Sequence, residues 1–583
     1  MSFSCKILIA DRNYSSWHYT AVDESKQIDP PDGLAVGSPI EHKLFTRDII
    51  ELNAGLAPKL VFSPVRTHSV LAGVLLLENN KTFGRNETKK RLLYKCVPDD
   101  KHLPAFLIPY ELKLGFSKRI HNKYVVFKFD HWKDKHPHGI LHEVLGDVGA
   151  LDVFYEYQLY CKSLHISINE FNDHTRNTLK QHTNDEYIDM ITSNPAFRIS
   201  VLPPLPSPSS AFIFSIDPPT STDFDDAFSI VAGSRPGVMR ISVYIANVYL
   251  WLETLGLWKS FSKRVSTIYL PDRKRPMLPT LLSDTLCSLQ ENTDRFAFVM
   301  DVDVDVEKGE IIEDSIVFSN KRIVVGKNYR YEEPALLDDD HYQTLLRYTQ
   351  ILSKDVRDSH DLVVYWMIKM NHLCGIRMAR ARTGIFRSMS LLCRDRTEEI
   401  PAHLDAETRR VLSVWNNTIG QYCVIGENTD IKHDLMKLSS YIHITSPIRR
   451  LVDLLNQILF MREFGCIGEC SPECGSFLAD WISQLDYINT AMRSIRKVQS
   501  DCEMLRKCTT DPEILEREHS GVVFDRVVKA DGLCSYMVYL DKVGLLSRIH
   551  TPIQMEDYTV GTFRIFVFED EHRSKKKIRL QIV

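Results

Sequence analysis

The sequence predicts an α+β multidomain chain in which small β-barrels flank a central α/β domain. Three observations lead there. At 583 residues the chain exceeds what one hydrophobic core organises, so about three to five domains are expected. Short β-branched and aromatic runs separated by polar turns recur through roughly the first 190 residues and again from Gly521 to Val583, the pattern of small barrels. Between these ends, strand-like runs to about residue 320 give way beyond 340 to long helical periodicities.

The N-terminal runs include Lys59-Leu60-Val61-Phe62, Ala72 to Leu77 and Lys123 to Phe129. Residues 1–70 are assigned to a first barrel, 71–194 to a second, 195–510 to the central domain and 515–583 to a last barrel. Val201 to Ser210, rich in proline and serine, is read as a linker. Helices are expected over Asp361 to Arg382, Ala406 to Trp415, Pro447 to Phe464 and Ser476 to Cys508. In the last barrel Arg573 to Lys577 forms a basic cluster.

Hydrophobic residues at 44% and charged residues at 25% are ordinary globular values and exclude a disordered chain. No stretch approaches the roughly twenty apolar residues that a membrane helix needs. With no secretory signal, an intracellular and most simply cytoplasmic protein is expected, and its 13 cysteines read as reduced thiols. Cys466, Cys470 and Cys474 lack the tight pairs of a zinc site. The net charge of −4 does not exclude RNA, because phosphates respond to local basic patches.

The sharpest feature runs from Phe212 to Ala227. An apolar run ends at Asp217, Pro218 and Pro219 forbid further ladder pairing, and Asp223, Asp225 and Asp226 follow. Two unit charges about 4 Å apart at an effective dielectric near 20 repel by about 4 kcal/mol. Four carboxylates beside apolar strands therefore call for shared protons or a divalent cation, and hard oxygens suit Mg²⁺ or Mn²⁺. A solvated acidic turn would show the same spacing, so composition alone leaves the two readings open.

Asp217-Pro218-Pro219 followed by Asp223-Phe224-Asp225-Asp226-Ala227 resembles the signature of the RNase II/RNB exoribonucleases. Further blocks follow in that family's order: Val243 to Val248, Ser266 to Asp272, Pro276 to Pro279, Leu282 to Leu289 and Tyr441-Ile442-His443-Ile444-Thr445-Ser446-Pro447-Ile448-Arg449-Arg450. The resemblance covers residues 195 to about 505 well and the N-terminal barrels more loosely. It is closer to the eukaryotic exosome-type members, without their N-terminal endonuclease domain. It implies OB-like barrels of cold-shock and S1 type around an RNB catalytic domain. It also implies 3′→5′ hydrolysis of single-stranded RNA to nucleoside 5′-monophosphates with Mg²⁺ or Mn²⁺, and an RNA helicase or exosome-like complex as a possible partner. The alternative is an RNB-fold RNA-binding protein or RNA-decay subunit with little or no nuclease activity.

Carried onto this sequence, the resemblance makes Asp217, Asp223, Asp225 and Asp226 the metal set, and Asp225, Asp223 and Arg449 the catalytic residues. Tyr269, Arg450, Tyr365 and Gln499 become RNA contacts, and Phe224 packs beneath the cluster. Ser446 is read as a helix cap, with Pro447 at the first helical position and both arginines on the first turn. The sequence departs from the family where Tyr244 and Asn247 replace His and Asp, where Asn456-Gln457 replaces His-Arg, and where Val325 stands for a tyrosine and Val364-Tyr365 for a paired glutamate. Those last positions predict weakened discrimination between ribose and deoxyribose.

Overall fold

A computed structural model of the chain describes residues 3–31, 37–53, 56–67, 70–86, 90–112, 120–202, 211–390, 400–401, 403–405, 407–409, 411–412, 419–426, 429–528, 532–570 and 575–583. The chain divides into two compact units. One comprises Met1–His165, Leu270–Asp272 and Lys497–Val583, and the other Ile166–Tyr269 and Arg273–Arg496.

In the first unit a five-stranded sheet runs in the order Gln27–Ile28, Trp17–Thr20, Phe3–Ile9, Ile49–Leu52, Lys59–Phe62. Alternate residues of Phe3–Ile9 point inward, so Cys5, Ile7 and Ile9 join the core. A second sheet orders Gly139–Asp147, Lys123–Phe129, Leu71–Leu75, Leu92–Pro98 and Thr82–Arg85, with Phe106–Tyr110 also on Leu92–Pro98. The two sheets share one core, where Phe45 stacks on Phe106 at 5.9 Å. The last strands form a separate five-stranded sheet, Leu545–Thr551, Cys534–Leu540, His519–Val528, Val560–Asp570, Lys575–Ile582, around Val523, Tyr536, Val538 and Phe563. Arg573 lies outside the described residues, as does the side chain of Lys575, while Lys576 and Lys577 sit on the final strand.

The second unit holds a mixed seven-stranded sheet in the order Ile199–Val201, Glu310–Val324, Asp294–Asp305, Val238–Ala246, Asp226–Ala232, Phe214–Asp217, Lys327–Arg330. Its central strands are apolar on both faces: Val238–Ala246 keeps only Met239 and Arg240 from burial, as a strand covered on both sides must. Helices Ser359–Arg380, Leu451–Glu463 and Pro472–Ser483 supply the helical part. Among the described residues no helix is long and apolar enough to cross a membrane.

Several elements differ from the sequence reading. Strands were expected through residue 190, but Leu151–Cys161, Asn169–Leu179 and Asn184–Ser193 are helices. The aromatic run Phe154 to Tyr160 has strand-like composition, and packing decides against it: Tyr157 is buried and stacks on Tyr124 at 4.2 Å. Ser476 to Cys508 is two helices, Pro472–Ser483 and Leu485–Thr510, broken at Gln484, whose N–H bonds back to Trp481. The expected helix Ala406–Trp415 falls partly outside the described residues, and 407–409 and 411–412 are helical. Residues 203–210 of the expected linker also lie outside them.

The helix expected from Pro447 begins only at Leu451. Ser446 to Arg449 form a turn, and Arg450 is extended, φ −135° and ψ 124°. The cause is a tertiary pairing: Arg450 bridges Ser266, Thr267 N donates to Arg449 O at 2.9 Å, and Leu451 N donates to Val265 O at 3.0 Å. These bonds hold the backbone out of helical geometry until Leu451. Asp453 then reaches back to accept from Ser446 N at 2.8 Å.

Candidate active site

The acidic segment is shaped by its flanking strands and by one serine. Asp217 ends Phe214–Asp217 and pairs in parallel register with Arg330, while Asp226 opens Asp226–Ala232 opposite Ile245. Between them the chain loops out past the two prolines. Ser288 pins the return: its Oγ accepts from Phe224 N at 3.0 Å and donates to Thr222 O at 2.9 Å, while Leu289 N donates to Phe224 O. Phe224 is buried, as expected, with the Arg330 guanidinium 5.5 Å from its ring centre.

Asp225 is 3% exposed and joins the acidic segment to the arginine motif. Its Oδ1 accepts from Ile448 N at 3.0 Å, and its Oδ2 accepts from Arg449 Nε at 3.0 Å. Arg449 Nη2 also donates to Ser446 Oγ at 3.1 Å, which fixes the plane of the guanidinium. The Arg449 side chain is 45% exposed, so part of the group remains open to a ligand. Arg450 turns elsewhere and pairs with the buried Asp453 at 2.8 Å.

Asp217 and Asp226 are buried, and one oxygen of each, Oδ2 in both cases, has no hydrogen-bond partner. Burial pushes the Asp217, Asp225 and Asp226 carboxyls up to about 7. Repulsion adds to the shift, from Asp225 on Asp217, from Asp217 on Asp226, and from Asp223 and Asp226 on Asp225. The Arg449 charge opposes it in all three.

Asp223 differs from the other three. Its Oδ2 accepts from Tyr269 Oη at 3.1 Å and its Oδ1 from Lys274 Nζ at 2.9 Å. Among the described residues no three His, Cys, Asp or Glu side chains gather tightly enough to hold a cation by themselves. The expected four-carboxylate set is thus divided: Asp223 is satisfied by protein donors, whereas Asp217 and Asp226 present free oxygens. Those oxygens fit Mg²⁺ or Mn²⁺, because a small hydrated cation at a phosphate site keeps waters and uses one or two carboxylates plus substrate oxygens.

Of the expected RNA contacts, Tyr269 is 41% exposed beside the cluster, tethered through its hydroxyl to Asp223. Tyr365 is half-buried on Ser359–Arg380, edge-on to Trp366. Gln499 belongs to the other unit, half-buried on Leu485–Thr510. The departures from the family have structural roles. Tyr244 is buried against Ser229 Oγ, and Asn247 caps Val248–Thr254. Asn456 bonds Ile385 and His443, and Gln457 bonds Ala246 O. Val325 is fully buried.

Sequence reasoning missed Tyr331, Lys274 and Asp284. Tyr331 N donates to Asp217 O at 3.2 Å. Burial raises its hydroxyl pKa, and the charges of Asp226 and Asp217 add to the rise. Lys274 lies in the basic run Arg273-Lys274-Arg275, between the blocks Ser266 to Asp272 and Pro276 to Pro279. Nothing local distinguished it from a solvated lysine.

A family model described as the RNB domain matches residues 209–336, and one described as the Dis3-like cold-shock domain 2 matches residues 93–157. A DIS3-like exonuclease 2 of Schizosaccharomyces pombe is 28% identical over 225 residues, which are 36% of this chain and 22% of that protein. The match thus spans about a fifth of that relative's length. In fold the chain is similar to Mycoplasma genitalium RNase R, solved with ribose-methylated single-stranded RNA: TM-score 0.66 at 15% identity, covering 98% of this chain and 96% of the other. It is also similar to yeast Ssd1, described as a pseudonuclease: TM-score 0.59 at 13% identity, covering 94% and 79%. The chain therefore contains an RNB domain that follows a Dis3-like cold-shock domain in sequence, has an RNase R-like fold with OB-type domains flanking the RNB domain along the chain, and resembles the RNase II/RNB family in both respects.

Proposed function

We propose that the chain is a metal-dependent hydrolytic 3′→5′ exoribonuclease that degrades single-stranded RNA to nucleoside 5′-monophosphates. The observation that carries this reading is the 3.0 Å ion pair of Asp225 and Arg449, which joins two sequence-distant motifs beside the unpartnered oxygens of Asp217 and Asp226. The exonuclease relative and the RNA-bound fold neighbour support it.

In this reading Asp217 and Asp226 hold the cation, with Asp225 beside them. A bound Mg²⁺ or Mn²⁺ supplies Lewis-acid polarisation of the scissile phosphate and neutralises its charge. Asp225 fixes the Arg449 fork, and Arg449 holds a phosphate oxygen and stabilises negative charge that develops on it. Both Asp225 oxygens are engaged, by the Ile448 amide and by Arg449 Nε, so the carboxylate acts by holding these two groups in place. The exposed Tyr269 ring stacks on a base without regard to sequence. Arg450 and Tyr365 are assigned to RNA contacts outside the carboxylate cluster, and Gln499 is kept as an RNA contact on the family resemblance alone. The test is a 3′-single-stranded RNA incubated with and without EDTA, with product lengths resolved. Mononucleotides formed only without chelator support the reading. An RNA that is bound and never shortened favours the second reading, an RNB-fold RNA-binding protein or RNA-decay subunit with little or no nuclease activity, in line with the fold likeness to a pseudonuclease.

The raised carboxyls predict a pH-dependent response to metal. A carboxyl whose folded pKa lies above its unfolded value stabilises the fold while protonated. That contribution is full below about 3.8 and is lost as pH rises through about 7. A divalent cation binds the ionised form, so Mg²⁺ is expected to raise the melting temperature clearly at pH 8 and much less at pH 5.5. At a hundredfold excess over Kd the stabilisation is about 2.7 kcal/mol. Equal shifts at both pH values would remove the carboxylate cluster as the binding site.

Tyr331 also changes the expectation for sugar selectivity. Its hydroxyl, close to the carboxylates, can read a 2′-OH, which Val325 cannot. RNAs carrying one deoxynucleotide among the last four positions are expected to be cut more slowly at one position by the wild type, and without that pause by Tyr331→Phe. A pause that survives in Tyr331→Phe would assign ribose reading to another residue.

A further inference from the structure

Lys274 occupies a place in the acidic site that the cation reading does not need. Its ammonium has three N–H donors and three acceptors in reach: Thr222 Oγ1 at 2.7 Å, Asp223 Oδ1 at 2.9 Å and Asp284 Oδ1 at 3.0 Å. The side chain is 24% exposed, so the ammonium is held rather than waving in solvent. Asp284 is itself fixed, accepting from Thr222 Oγ1 at 3.1 Å and from Ser283 Oγ at 2.5 Å. Burial works against the Lys274 charge, but the hydrogen bonds and charges of Asp223 and Asp284 outweigh it, and its pKa is raised.

Lys274 and Tyr269 are also cross-strand partners in the two-stranded ribbon of Ile268–Tyr269 and Lys274–Arg275. Both therefore reach Asp223 from one ribbon, Tyr269 to Oδ2 and Lys274 to Oδ1. Asp223 has each oxygen taken, while Asp217 Oδ2 and Asp226 Oδ2 have none of this compensation.

We propose that Lys274 is a resident cation of the acidic site, which withdraws Asp223 from the metal-ligand set and makes it the anchor that positions the Tyr269 ring. The proposal rests on the reading of Asp217 and Asp226 as the cation site. An ammonium next to a carboxylate lowers the affinity of that carboxylate for any second cation. Asp223 then serves as a fixed acceptor. The stacking platform gains a defined height above the carboxylates at the expense of one ligand.

The test is calorimetric titration of MnCl₂ into the full chain at constant ionic strength, with near-UV circular dichroism to confirm folding. Lys274→Met is expected to tighten Mn²⁺ binding about tenfold, because Asp223 becomes free to ligate. In an Asp223→Asn background the same change is expected to do less than about twofold, since no carboxylate is released. Lys274→Gln, which keeps reach to Thr222, replaces the Met variant if that one does not fold. Equal tightening in both backgrounds would show a general field effect and overturn the proposal, as would no tightening in either. A wild type that binds no Mn²⁺ counts against the proposed function. The Lys274 proposal is then judged by whether Lys274→Met alone gains binding, and a variant that also binds none overturns it.

Discussion

Asp225→Asn is expected to abolish RNA hydrolysis while leaving RNA affinity and folding nearly intact. The amide keeps the shape of the side chain, and its Oδ1 can still accept from Ile448 N. The other position becomes an NH₂ that faces Arg449 Nε, donor against donor, so the 3.0 Å ion pair is lost and the guanidinium is released from its plane. One negative charge also leaves the site that a divalent cation is proposed to occupy. Loss of both contributions places the expected rate at least a hundredfold below wild type, the size of a single preorganised charge-stabilising contact or more. The fold should lose only about 1–3 kcal/mol for the buried donor left facing Arg449, and part of this is offset because the buried charge no longer has to be held there. Residual activity above about a tenth of wild type would remove Asp225 from the reaction. A collapse in melting temperature would make the residue a structural joint instead.

Arg449→Ala is expected to lower the catalytic rate by a factor of about 10² or more, with a smaller effect on affinity. Arg449 is the charged group that Asp225 and Ser446 Oγ hold in one plane at the edge of the carboxylates, with almost half its side chain open. A guanidinium held in this way suits the two oxygens of a phosphate better than an ammonium, so Arg449→Lys should recover only part of the lost rate. The truncation leaves Asp225 Oδ2 without a partner, at a cost of about 1–3 kcal/mol to the fold. The readout must therefore separate rate from the folded fraction, through single-turnover kinetics on protein shown to be folded. A change in affinity alone would make Arg449 a contact that positions phosphate and takes no part in the chemical step.

Much of this molecule was legible before any coordinates. The apolar run at Lys123–Phe129 and the strand-and-turn alternation from Gly521 to Val583 announce sheets, because a half-buried or buried strand needs such residues. The carboxylates at Asp217, Asp223, Asp225 and Asp226 mark a segment that needs compensation or solvent, and only the family resemblance made it a candidate site. Local composition misled where packing could override it. The aromatic stretch Phe154 to Tyr160 reads as a strand and is a helix, since its rings pack on Tyr124 from one face.

By itself the sequence determined the α+β domain content and the two charged motifs, since periodicity, prolines and clustered charges act over a few neighbouring residues. Tertiary structure alone decided how those residues are used. Asp225 meets Arg449 across 224 positions, Arg450 is drawn into an extended bridge with Ser266 and away from the expected helix, and Tyr331 rather than Val325 stands by the carboxylates. Asp223 is satisfied by Tyr269 and Lys274 while Asp217 and Asp226 are left open. A carboxylate reads alike in sequence whether it will face an arginine, a lysine or nothing. Its partner is set by strand register and burial, which bring distant segments together and make each unpaired charge costly only once water has been excluded.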